Sequence, residues 1–129
     1  MNRIIIDTNI YIDYFNSGKH AQIIYQEGYP QVIHVSSIVL MELMAGSFSR
    51  TEVAIVNNIV KVAKSANKIV TPIYTDYVEA GRILVKLQSE KGYDLKKAYS
   101  LTNDVLIALS ARRIGATVVT QNRRDFEAI

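Results

Sequence analysis

The apolar residues of this chain fall alternately into short runs and helical stripes. Residues 3–6 are a brief apolar run that ends at Asp7, as expected of a strand buried on both faces. Residues 8–15 read as a short helix. A second runs over residues 18–27, stopped by Gly28 with Pro30 just beyond. Residues 31–36 are β-branched and alternating, which predicts a second strand. Ser36 or Ser37 then caps a helix through Ala45, ended by Gly46. Ser49 and Glu52 make a capping box for the next helix, whose Val53, Val56, Ile59, Val60, Ala63 and Ala66 recur at helical spacing. Residues 69–73 are short and extended, limited by Pro72. Asp76 and Glu79 open another helix with a buried stripe of Tyr77, Ala80, Gly81, Leu84 and Leu87, after which Gly92 and Tyr93 form a loop. The pattern closes with a helix over 103–114 stopped by Gly115, a strand over 117–120, and a terminal turn or helix begun by Asn122.

Alternating strands and helices imply an α/β fold, a mainly parallel central sheet covered by helices on both faces. Such sheets bind ligands at the carboxyl ends of their strands. There is no linker, repeat or low-complexity segment, and 129 residues suit a single domain spanning 1–129. The absence of cysteine rules out a disulfide framework and a thiolate zinc site. The two histidines, His20 and His34, lack zinc-site spacing. The N-terminus lacks the apolar core of a signal peptide, and the densest apolar stretch, 37–45, is interrupted by Glu42. A cytoplasmic protein with no membrane contact is the simplest expectation.

Four acids stand at the places where chemistry is expected. Asp7 directly follows the first strand; its structural alternative is to cap the next helix. Glu42 has Ile38, Val39, Ala45 and Gly46 at i±3 and i±4, so it joins no polar stripe; it is either paired or metal-bound, or it snorkels from one exposed helix edge. Asp104 opens its helix and shares a face with Ala108, Ala111 and Gly115, pointing toward the sheet unless it serves only the helix dipole. Asp125 follows the last strand, three residues after Asn122, and alone reads as a capping partner. Together the four should converge on one sheet edge. Carboxylates sharing a pocket repel one another and call for cations, with Mg²⁺ or Mn²⁺ the natural oxygen-ligated choice. An ion there would activate water and stabilise charge on phosphate oxygens, which suits phosphodiester hydrolysis. The net charge is +3; with these four acids set aside, eight acids face fifteen bases, a balance of +7 for the remaining surface.

The order and spacing of Asp7-Thr8-Asn9, Glu42-Leu43-Met44-Ala45-Gly46, Asp104-Val105-Leu106-Ile107-Ala108 and Thr120-Gln121-Asn122-Arg123-Arg124-Asp125-Phe126 resemble a PIN-domain nuclease, most closely a VapC-type toxin. The resemblance covers almost the whole chain. It implies a three-layer PIN-like fold and Mg²⁺- or Mn²⁺-dependent endoribonuclease activity. The acidic quartet maps onto Asp7, Glu42, Asp104 and Asp125, with Thr8 or Asn9, Thr120 and Asn122 supporting it through hydrogen bonds. Partners implied are an RNA substrate, a cognate antitoxin and a second copy in a homodimer. Family chains commonly run on past the final Asp-Phe, whereas this sequence ends at Ile129.

Arg112, Arg113, Arg123 and Arg124, with Lys96 and Lys97, are candidates to hold the RNA backbone; solvated helix faces are the alternative. Tyr11 and Tyr14 are the tyrosines nearest Asp7 that could stack on bases, although packing suits most tyrosines better. Met41 and Met44 read as core. Asp13 and Asp94 read as surface acids, Asp13 near the site rim. A receiver-type phosphoacceptor domain would need a lysine after a late strand, where this chain has Thr120-Gln121-Asn122, and a dehalogenase-like phosphatase would need Asp-x-Asp where it has Asp7-Thr8-Asn9. Also open are a non-catalytic binding module and a nuclease of the same fold that processes RNA or cuts DNA.

Overall fold

The computed structural model describes residues 2–28, 31–94 and 99–129. Four strands form a parallel sheet, β1 (Arg3–Ile6), β2 (Val32–Ser36), β3 (Ile69–Val70) and β4 (Ala116–Val119), in the order β3-β2-β1-β4. The helices between and after them are α1 (Thr8–Ser17), α2 (Ala21–Ile24), α3 (Ser37–Ala45), α4 (Arg50–Ser65), α5 (Tyr74–Glu90), α6 (Tyr99–Ile114) and α7 (Arg123–Ala128). This is the expected α/β architecture with a helix-flanked parallel sheet. The central position of β1 explains its sequence. Ile4, Ile5 and Ile6 are almost wholly excluded from solvent, as a strand paired on both edges and covered on both faces requires.

Helix α6 is the second pillar of the core. Leu101, Val105, Leu106, Ile107, Leu109 and Ala111 are all buried, and they pack in one cluster with β1, α1, α3 and α5. The helix begins at Tyr99, earlier than expected, so Asp104 lies in its second turn and does not open it. Its position is set by packing rather than by the helix dipole.

Three expectations change. The second helix is only one turn, because α1 continues to Ser17 and closes on Gly18 in the left-handed region (φ 74°), leaving too few residues for another long helix. Pro30, read as lying beyond its end, falls outside the described residues. The buried stripe of α5 is Asp76, Ala80, Ile83, Leu84 and Leu87, while Tyr77 and Gly81 face outward. The rotation follows from Asp76, whose Oδ2 accepts from the Ile73 backbone N–H (3.0 Å) and from Arg113 Nε (3.2 Å), drawing that position inward. Met41 and Met44 are exposed, because α3 turns Ile38, Val39 and Leu43 to the core instead.

Asp76 therefore carries both the start of α5 and its contact with α6. Asp76→Ala should cost about 2 kcal/mol, since it uncaps Ile73 and leaves Arg113 without its partner. Urea denaturation measures this, and a loss below about 0.5 kcal/mol would mean that the pair is solvated and the helix rotation has another cause.

Candidate active site

Each site acid is placed by the element it ends or rides on. Asp7 follows β1 and extends its ladder by one bond, its N–H donating to Val119 O (2.9 Å). Its carboxylate is buried and held at both oxygens. Oδ1 accepts from the Thr8 N–H (2.8 Å), so Asp7 also caps α1, and Oδ2 accepts from the Thr120 hydroxyl (2.7 Å). Glu42, on α3, accepts the Thr8 hydroxyl at Oε1 (2.8 Å) and the Asn103 amide at Oε2 (3.5 Å). Asp104, buried on α6, accepts the Asn122 amide (3.0 Å), and the same amide donates to Asp125 Oδ2 (3.0 Å). Tyr93 donates its hydroxyl to the other oxygen of Asp125 (2.8 Å), a bond that raises the tyrosine's own pKa.

Asp7, Glu42 and Asp104 line one cleft of about 190 Å³ together with Thr8, Asn9, Ile12, Ser100 and Asn122. It opens past the carboxyl ends of β1 and β4. Burial, then the charges of Asp7 and Glu42, and more weakly that of Asp125, push the Asp104 carboxyl up to about 7, against the pull of its Asn122 bond. Asp7, Glu42 and Asp125 are thus close enough in space to oppose the ionisation of Asp104, although residues 7 and 125 stand at opposite ends of the chain.

A family model described as the PIN domain matches residues 4–129. The chain belongs to the PIN-domain family. A chain of VapBC2 from Rickettsia felis, solved bound to a DNA fragment from its promoter, is 27% identical with a TM-score of 0.70, the match covering 98% of this chain and 92% of that one. A chain of DNA-bound VapBC from Salmonella typhimurium is 26% identical with a TM-score of 0.68, covering 98% and 92%. VapBC-1 from nontypeable Haemophilus influenzae, 20% identical with a TM-score of 0.68 over 98% and 91%, shares the fold. Comparison with curated proteins found no match.

Within this PIN domain the predicted site residues separate into two groups. Asp7, Glu42, Asp104, Thr8, Asn9 and Asn122 meet at the cleft. Thr120 reaches it through Asp7, and Asp125 stands one hydrogen bond behind, through Asn122. Arg123 and Arg124 are exposed in the first turn of α7, beside Asn122. Arg112 and Arg113 lie in the last turn of α6, roughly 13 Å along the helix from Asp104. Arg113 is engaged there by Asp76 and by Thr71 O (2.9 Å), so its guanidinium is turned away from the cleft. Lys96 and Lys97 fall outside the described residues. Tyr11 is buried, its hydroxyl pushed up to about 12 by burial, and Tyr14 packs on Phe15 and Tyr25, so neither offers a face to the cleft.

The donor set fits a hard divalent cation: three acids with oxygen- and amide-bearing neighbours, one of them, Asp104, destabilised as an anion by burial and by the others. Among the described residues, no three acid or histidine side chains already stand as a metal-holding group. The oxygens are instead engaged by Thr8, Thr120, Asn103 and Asn122. Among the same residues, no helix is long and apolar enough to cross a membrane.

Sequence reading missed three supports, Asn103, Tyr93 and Ser100. Asn103 had a signal in its place directly before Asp104; Tyr93, 32 residues from its partner, had none. Asp13, read as a surface acid, is tied to Gln121 and His20.

The raised Asp104 pKa sets the sign of a pH effect. The folded state holds this proton more tightly than the unfolded chain, whose aspartate titrates near 3.8, so metal-free stability should rise as pH falls from 7 toward 4. In EDTA, Asp104→Asn should raise the melting midpoint on the order of 5 °C at about pH 8, and flatten its change between about pH 8 and pH 5. Thermal unfolding by circular dichroism checks this; a lowered midpoint at both pH values would make the Asp104 charge a structural asset.

Proposed function

We propose that this chain is an endoribonuclease that hydrolyses RNA phosphodiester bonds with Mg²⁺ or Mn²⁺. We further propose that its whole length is one nuclease domain, acting in the cytoplasm as the toxin of a toxin–antitoxin pair. The observation that carries the reading is the meeting of Asp7, Glu42 and Asp104 in one cleft, where burial and the charges of the other two disfavour the ionisation of Asp104. Membership of a nuclease family supports it. The likeness to chains of two VapBC complexes supports a cognate antitoxin as partner, and a homodimer follows the family pattern.

A divalent ion in the cleft would supply a Lewis acid for activating water and neutralising charge on a phosphate oxygen. Asp7, Glu42 and Asp104 are the side chains that would hold it, with Asp125 behind them. Thr8 and Thr120 fix the rotation of Glu42 and Asp7, so neither must be ordered when substrate arrives. Asn122 places one amide against two carboxylates, which screens Asp104 from Asp125. Asn9 and Ser100 give the cleft wall polar groups within reach of a bound nucleotide. Arg123 and Arg124 meet the RNA backbone beside the cleft, where their charge adds affinity without sequence choice.

Defined RNAs incubated with the protein in Mg²⁺, Mn²⁺ or EDTA test the proposal. Cleavage is expected in both metals and not in EDTA, and Asp7→Asn and Asp104→Asn should each lower it at least about a hundredfold while keeping the circular dichroism of the parent. Full activity in both variants would remove the site. Cleavage of DNA with RNA left intact would reassign the substrate.

A further inference from the structure

The turn between β4 and α7 carries two of the groups that orient the site, Thr120 against Asp7 and Asn122 against Asp104. Between them stands Gln121, exposed, its side chain pointing to the opposite side of the turn. Gln121 donates its amide to Asp13 Oδ2, and the amide nitrogen lies 3.0 Å from His20 Nε2. His20 Nε2 is itself 3.4 Å from the same Asp13 oxygen. The Gln121 backbone N–H donates to Asn9 Oδ1 (3.3 Å), one helical turn before Asp13 on α1. The turn is therefore held to α1 at two points, by main chain and by side chain.

His20 shows that this arrangement is built rather than incidental. It precedes α2 in a left-handed backbone conformation (φ 68°), uncommon for a residue with a side chain, and its imidazole caps nothing on that helix. It reaches back to Asp13 instead. Asp13 is held below the usual carboxylate range, chiefly by the Gln121 bond and further by His20 and Lys19. It is therefore a charged acceptor, and charge-assisted bonds are the stronger kind.

We propose that Asp13, His20 and Gln121 form a clasp that fastens the β4–α7 turn to α1 and so positions Thr120 and Asn122 for the reaction. These are positioning residues, since none of them lines the acidic cleft. The catalytic half of the proposal rests on the nuclease reading; the structural half does not.

The test uses the full chain with Asp13→Ala, Gln121→Ala and the double change Asp13→Asn with Gln121→Glu, which reverses donor and acceptor. Two quantities are read: steady-state RNA cleavage in Mg²⁺ or Mn²⁺, and hydrogen exchange of the Gln121 and Asn122 amides in metal-free protein. The two single variants should lower kcat roughly tenfold to a hundredfold while KM stays within about twofold. The same two amides should exchange about fivefold faster or more, and the double variant should restore both readouts. Unchanged exchange in the single variants would overturn the clasp. A raised KM with kcat kept would overturn it too, by making these residues RNA contacts. If the parent chain cuts no RNA, the nuclease reading fails, and exchange alone decides whether the clasp exists.

Discussion

Everything at this site follows from the cost of gathering negative charge in a place with little water. Asp7 and Asp104 are almost fully buried, and Glu42 joins them in the same cleft. Buried carboxylates that face one another are unfavourable unless neutral donors or a cation meet them. The protein supplies the donors from three separate segments: Thr8 after β1, Asn103 on α6, and Thr120 and Asn122 after β4. These satisfy the oxygens without cancelling the charge. What remains is an electrostatic deficit that a divalent ion is suited to fill.

The fold makes such a gathering possible because its strands run the same way. Residues that leave β1 and β4 emerge at one edge, and α3 and α6 pass beside it. The central strand and central helix are the most deeply buried elements, so the two acids attached to them inherit rigid supports. The last helix, α7, contributes the more remote acid, Asp125, held by Asn122 and Tyr93.

What could be read from the sequence was what the chain writes locally. An apolar run that stops at an aspartate marks Asp7, and an acid stranded among aliphatic residues marks Glu42. A stripe of small residues below an acid marks Asp104. Turn glycines and caps located most elements, including Ser49 accepting from Glu52 N–H (3.1 Å) at the start of α4. What could not be read depends on partners far along the chain. The inward turn of Asp76 needs Arg113, 37 residues away, and the tie between Gln121 and Asp13 spans 108. Apolarity alone also could not show that Met41 and Met44 face solvent while Leu43 between them does not, since a helix apolar at seven of its nine positions offers little contrast by which to orient it.

The three isoleucines of β1 and the aspartate that follows them have one more consequence. Along a strand, a shift of a single residue sends every side chain to the opposite face. Were β1 to pair one position out of step with β2 and β4, Asp7 would be dragged into the aliphatic interior, away from the Thr120 hydroxyl and the Val119 carbonyl that now receive it. Isoleucine followed by isoleucine offers no such penalty by itself, because one fits where the other did. The acid that serves the cleft thus also works as the alignment key of the sheet, and mispaired forms of this strand exclude themselves during folding.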